Sequence, residues 1–259
     1  LFLISITCVA QETFSPNKSV ESEINIDGVL APNEWQNAVE IPLDIEFSPA
    51  NNEIARKETI AYVTYSDLYL FIGVYAKDDP SNIRSSLRPR DDDNIWNDDV
   101  FLVRLDPYAD ARNNLGLAVN ALGSQYDVKQ VNALKDEDRY DSSFNMNFES
   151  KGSIVSDGYQ VEMKIPFSEI PFPNGKDQTW HINLYQRYFE NGNVIEVSSQ
   201  PRDRDNSCIV CQTTDRLVLK NINIDKRLEF LPYFSSKISG ERSTPEEKIQ
   251  YGRPNINVG

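Results

Sequence analysis

Histidine is nearly missing: His181 stands alone among 259 residues, and cysteine is confined to Cys8, Cys208 and Cys211. That scarcity excludes multi-histidine zinc and copper centres and leaves any Ser-His-Asp triad a single conceivable base. Basic residues are also short, 26 Lys+Arg against 40 Asp+Glu, and the resulting net charge of −14 repels phosphates and anionic headgroups. Nucleic acid is therefore not an expected partner. There is no nucleophile elbow, no phosphate-cradling glycine loop and no HExxH, so neither a nucleotide nor a hydrolytic centre is indicated. Gln212 follows Cys211, which breaks the CxxCH pattern, and Met146, Met163 and His181 are the only candidate axial ligands, so no haem is expected.

What is present suits a folded core. Apolar residues make up 39% of the chain and aromatics 10%, enough to bury a sizeable interior. Their periodicity is that of strands. Phe144, Met146 and Phe148 alternate with Asn145, Asn147 and Glu149, and Tyr159, Val161, Met163 and Ile165 alternate with Gln160, Glu162 and Lys164. The Ser156-Asp157-Gly158 turn between them predicts a hairpin. A second hairpin is predicted from 59–65 and 68–76 across Ser66-Asp67, with the later strand central because both its faces are apolar. Further strands are expected at 99–106, 115–121, 126–130, 180–189, 194–199 and 215–222, and a helical turn only at Asn33–Ala38. Many short strands separated by turn signals read as a β-sandwich.

The two ends differ from this body. Residues 1–10, LFLISITCVA, carry no charge and read as the tail of a secretory signal, so the protein is expected to be exported. From Arg227 to the end, alternating residues such as Leu228, Phe230 and Phe234 suggest further amphipathic strands. They read equally as the opening of a membrane β-barrel over 227–259 or as an edge strand with a tail. In an exported chain, Cys208 and Cys211 are expected to form a local disulfide.

The densest polar segment is RPRDDDNIWNDDVFLVRLDP at 88–107. Carboxylates this close raise one another's proton affinity unless a cation sits among them, so Asp91, Asp93, Asp98 and Asp99 are candidate Ca²⁺ ligands; a solvated acidic loop is the alternative. Trp96 lies inside this segment. An indole in so polar a setting either offers a platform for a sugar ring, whose C–H faces stack on aromatics, or folds back onto the sandwich edge. Trp35 and Trp180 are expected in the core, and His181 is expected to be hydrogen-bonded or at the surface rather than a base.

Six runs fall in an ordered series: INIDGVLAPNEWQNA at 24–38, LYLFIGVYAKDD at 68–79, WNDDVFLVRLDP at 96–107, LAVNALGSQYD at 117–127, DGYQVEMKIPFSEI at 157–170 and QTWHINLYQR at 178–187. Together they resemble the family 9 carbohydrate-binding module over about residues 22–222, more closely the version that precedes an outer-membrane β-barrel domain of unknown function. The resemblance implies an all-β, jelly-roll-type β-sandwich followed by the amphipathic strands, a non-catalytic carbohydrate-binding role at the outer membrane, and often a bound Ca²⁺. It implies Trp96 as one stacking ring and, since no tryptophan follows Trp180, Tyr188 or Phe189 in place of the second. Arg90, Asp91, Asn120 and Asp127 are implied at the same end. Two other readings are a module that plugs its own barrel and a glycoside hydrolase with paired carboxylates.

Overall fold

The computed structural model describes residues 11–134 and 139–223, together with 234–238, 240–241, 248, 250–251 and 255–258. Contacts divide the chain into two units, residues 1–224 and 225–259. In the first unit the strands are, in chain order, β1 (Thr13–Phe14), β2 (Val39–Pro42), β3 (Ile45–Ser48), β4 (Glu53–Ile54), β5 (Thr59–Tyr65), β6 (Tyr69–Lys77), β7 (Val100–Asp106) and β8 (Asn113–Asn120). They continue as β9 (Gln125–Val131), β10 (Tyr140–Asp141), β11 (Glu149–Val155), β12 (Gly158–Pro166), β13 (Gln178–Glu190), β14 (Asn193–Ser198) and β15 (Asp215–Leu219).

These strands form two sheets. Five run β11-β12-β6-β5-β2, and ten form a larger sheet whose main path is β10-β9-β8-β7-β13-β14-β3-β4. The thirteen-residue β13 is the branch point: Gln178–Ile182 pair with β15, and Tyr185–Glu190 pair with β14. All pairings are antiparallel except that of β1 with β15. Alternation explains the layering, because every second side chain of a strand faces the same way. Phe101, Val103 and Leu105 of β7, Leu115, Leu117 and Val119 of β8, and Trp180, Ile182 and Leu184 of β13 meet Leu70, Ile72 and Val74 of β6 and Val161, Met163 and Ile165 of β12 in one core. Trp180 is fully buried between Phe167 and Phe172. Each such large apolar side chain contributes about 1.5–3 kcal/mol on burial.

The five-stranded sheet explains why β6 is apolar on both faces. Its outer face carries a second layer, the segment containing Ile24, Leu30 and Trp35, which packs on Phe71. Gly73 makes room for it: a Cβ there would lie 2.6 Å from Leu30 Cδ2 and 3.0 Å from the Trp35 ring. Glu162, on the outward phase of β12, fixes this layer by accepting from Asp27 N (2.9 Å), Gly28 N (2.7 Å) and Trp35 Nε1 (3.3 Å). Burial pushes its carboxyl up to about 7 against those three donors.

The predicted all-β sandwich and the 59–65/68–76 hairpin are present, and Trp35 and Trp180 are in the core. Two local expectations are corrected. The hairpin across Ser156-Asp157 pairs Glu149–Val155 with β12, so Phe144, Met146 and Phe148 precede the strand. Met146 and Phe148 are buried from a loop, where a two-residue rhythm carries no ladder. Residues 32–37 form turns, not a helix. In the second unit, Phe234–Lys237 pair antiparallel with Asn255–Val258, and Gly240–Glu241 with Gln250–Tyr251. The expected strand residues Leu228 and Phe230 lie outside the described residues. Among the described residues no helix is long and apolar enough to cross a membrane.

Candidate functional site

The acidic segment does not form a cation cage. Asp98 is gripped by Arg88, Nε to Oδ2 at 2.7 Å and Nη2 to Oδ1 at 2.8 Å, and by Asn120 Nδ2 at 2.9 Å. Burial raises its pKa, but these donors outweigh it and hold the carboxyl below its usual range. Asp99 is buried and accepts from the backbone N–H groups of Arg84 (3.3 Å) and Phe189 (3.2 Å). Asp93 accepts from Tyr126 Oη at 3.1 Å, and Asp91 from the backbone N of Asp127 at 3.2 Å. Each of the four proposed Ca²⁺ ligands thus has a different protein partner. Among the described residues no three His, Cys, Asp or Glu side chains gather as a metal donor set, so this segment does not fit the cation its carboxylates suggested.

The implied polar positions do meet, but as scaffold. Arg90 donates to Asp127, which also accepts from Met146 N at 3.2 Å. Asp91 joins them through the Asp127 backbone. Asn120 is fully engaged, donating to Ser86 O and Asp98 and accepting from Leu122 N and Ser124 N. Asn120 and Asp127 are both inaccessible. Tyr188 cannot be the second stacking ring, because it shares the inward phase of β13 with Trp180 and is 1% exposed in the core. Phe189 is half-buried, with the guanidinium of Arg84 4.3 Å from its ring centre.

A different constellation occupies the outer face of the ten-stranded sheet. The outward phases of β7, β8 and β9 place Leu102 and Arg104, Asn114 and Gly116, and Tyr126, Val128 and Gln130 side by side. With Trp96 and Tyr140 they line a cavity of about 230 Å³. Trp96 is half-buried, its ring edge-on to Tyr126 at 5.6 Å, while Tyr140 is 48% exposed. Gly116 keeps the floor low: a Cβ there would come within 2.9 Å of Val128 Cγ1. Asn114 Nδ2 and Gln130 Nε2 are buried donors without an acceptor among the described residues. Leaving such an N–H unmet costs about 1–3 kcal/mol, so the arrangement suits a guest with acceptor oxygens.

Beyond Arg104 lies a niche of about 20 Å³ lined by Phe47, Arg104, Asn183, Tyr185, Ser198, Gln200, Pro201, Arg202, Ile209, Gln212 and Thr213. Arg104 Nη1 donates to Asn183 Oδ1 at 3.1 Å, and its guanidinium lies 5.0 Å from the Tyr185 ring centre. Burial lowers the pKa of Arg104; Tyr185 opposes this, and the like charge of Arg202 reinforces it. Cys208 and Cys211 are disulfide-bonded and close the loop that supplies Ile209 to the niche. His181 Nδ1 is 3.8 Å from Asp106, and burial lowers its pKa.

The chain matches known proteins in its overall fold. Residues 26–194 fit the model of a family described as carbohydrate family 9 binding domain-like. The chain belongs to that family. Three solved structures share the family 9-like fold. A candidate carbohydrate-binding protein from Bacteroides uniformis ATCC 8492 is 14% identical, with a TM-score of 0.63 over 81% of this chain and 99% of its own. A family 9 carbohydrate-binding module from Caldicellulosiruptor kristjanssonii in complex with cellotriose is 15% identical, with a TM-score of 0.55 over 86% of this chain and 100% of its own. A family 9 module from the same organism in complex with glucose gives 15% and 0.56 over 83% and 98%. No curated protein matches the chain. Of the residues that line the Trp96 cavity, sequence reasoning singled out Trp96 alone. Arg104 had a readable signal, a lone charge within the apolar run VFLVRL.

Proposed function

We propose that this family 9-like domain binds polysaccharide without cleaving it, through the cavity of Trp96, Tyr126, Tyr140, Arg104, Asn114 and Gln130. The observation that carries the reading is the pair of buried amide donors, Asn114 Nδ2 and Gln130 Nε2, lining the same cavity as a half-buried indole. A pyranose offers C–H faces to the ring and hydroxyl oxygens to the amides. The cellotriose and glucose complexes of family 9 modules support the ligand class. Among the described residues no Asp or Glu lines either cavity, which supports a non-catalytic role, since glycoside cleavage uses a carboxyl pair.

The test is affinity electrophoresis and calorimetry of the chain against soluble glycans. Retention is expected, with Trp96→Ala and Asn114→Ala each weakening it roughly 3- to 10-fold. Failure of every glycan to bind, or affinity indifferent to both substitutions, overturns the assignment. We extend the reading to an exported protein placed at the outer membrane through its C-terminal region, within a carbohydrate catabolic system. The apolar residues 1–10 and the paired strands after Phe234 support this, and membrane fractionation of the expressed chain tests it.

A further inference from the structure

Among the described residues Arg104 lines both cavities on the outer face, so its guanidinium stands between the space beside Trp96 and the niche that Arg202 lines. In a chain of net charge −14, cations are expected to sit beside carboxylates. Here neither Arg104 nor Arg202 has a carboxylate within 4.0 Å among the described residues. Arg202 Nε is buried and has no acceptor among the described residues. The nearby carboxylate, Glu196, is engaged by Tyr185 Oη at 2.6 Å. Two neighbouring, partly buried cations without a carboxylate contact among the described residues raise each other's cost, and an anion supplied from outside offsets it.

The dimensions divide the work between the cavities. A space of about 20 Å³ holds one or two water-sized groups, on the scale of about 10–15 Å³ each, which suits the oxygens of a carboxylate or sulfate but not a sugar ring. The 230 Å³ cavity on the other side of Arg104 is the one large enough for the ring. Guanidinium forks match planar carboxylates and tetrahedral sulfates by paired N–H···O bonds. We propose that the groove selects acidic sugar chains, seating a ring beside Trp96 and directing its carboxylate or sulfate substituent to Arg104 and Arg202. This rests on the carbohydrate-binding reading and narrows its ligand class.

Calorimetry of the full chain against alginate and polygalacturonate, dextran sulfate, and neutral cello-oligosaccharides tests it. Acidic chains are expected to bind at least about tenfold more tightly than neutral ones, the value of one charge-assisted contact, once salt screens the repulsion from the net charge of −14. Preference for the uronates or for the sulfated chain identifies the substituent. Arg202→Gln and Arg104→Met are expected to bring the acidic-to-neutral ratio down toward one. Arg104→Met is also expected to keep or raise Tm, because it removes a buried charge without a counter-ion, which separates lost recognition from lost folding. Neutral glycans binding as tightly as acidic ones, with a ratio unmoved by either substitution, overturns this inference and leaves the carbohydrate reading standing. No binding to any glycan overturns both.

Discussion

The outer faces of the two sheets begin alike and end differently. Each carries a tryptophan and a charged residue on the outward phase of an apolar strand: Trp35 over Glu162 on the five-stranded sheet, Trp96 and Arg104 on the ten-stranded one. On the first face the chain covers itself, and three N–H donors meet the carboxylate. On the second face, among the described residues, the guanidinium has no carboxylate within 4.0 Å and two amide donors nearby are unmet. A buried polar group tied to its own chain is architecture; one whose partner is missing points to a guest.

The largest effect that sharpens this contrast is on stability. Trp35→Ala opens a hole over Gly73 and leaves Glu162 short of a donor, and is expected to cost about 3–5 kcal/mol in urea unfolding. Trp96→Ala, from a half-buried site, is expected to cost about 1–2 kcal/mol while weakening glycan binding. Equal losses would erase the distinction.

A smaller effect is in pH. Because Glu162 is raised to about 7 in the folded chain, between pH 4.5 and 7 the native state holds a proton that the unfolded state has released. Stability therefore falls as pH rises through that window and levels above it. Glu162→Gln is expected to be less stable throughout, since its amide N–H faces the Trp35 N–H, yet to have a shallower slope in chemical denaturation across the window. Glycan affinity, read by calorimetry, is expected to stay flat over the same range, because no carboxylate lines the groove among the described residues. The smallest effect concerns the acidic segment: adding Ca²⁺ or a chelator is expected to leave Tm unchanged, and a shift of several degrees would show a cation site that Asp91, Asp93, Asp98 and Asp99 do not form here.

The sandwich was legible because alternation and turn residues are local. β5, β6 and β12 can be read from their own residues, and the failure at Phe144–Phe148 arose where burial alternated without a pairing partner. The cavity was not legible in the same way. Arg104, Asn114 and Gln130 are one residue each from three strands, brought together only by ladder register, which pairs Asn114 with Gln130 and Arg104 with Gly116 two residues along. The acidic run drew attention because it is dense in sequence, yet density did not reveal that Arg88, Asn120 and backbone N–H groups already engage Asp98 and Asp99. Tyr188 was misplaced by a single step of parity: the odd positions of β13 take the outer face, where Asn183 and Tyr185 line the niche.

The floor of the groove is ladder, whereas part of its far wall is the loop closed by Cys208 and Cys211. Floor and wall therefore answer to separate constraints. Insertions or exchanges within that stapled rim can retune which guest is admitted without disturbing strand register, so descendants of one scaffold are free to diverge in taste while keeping a common frame.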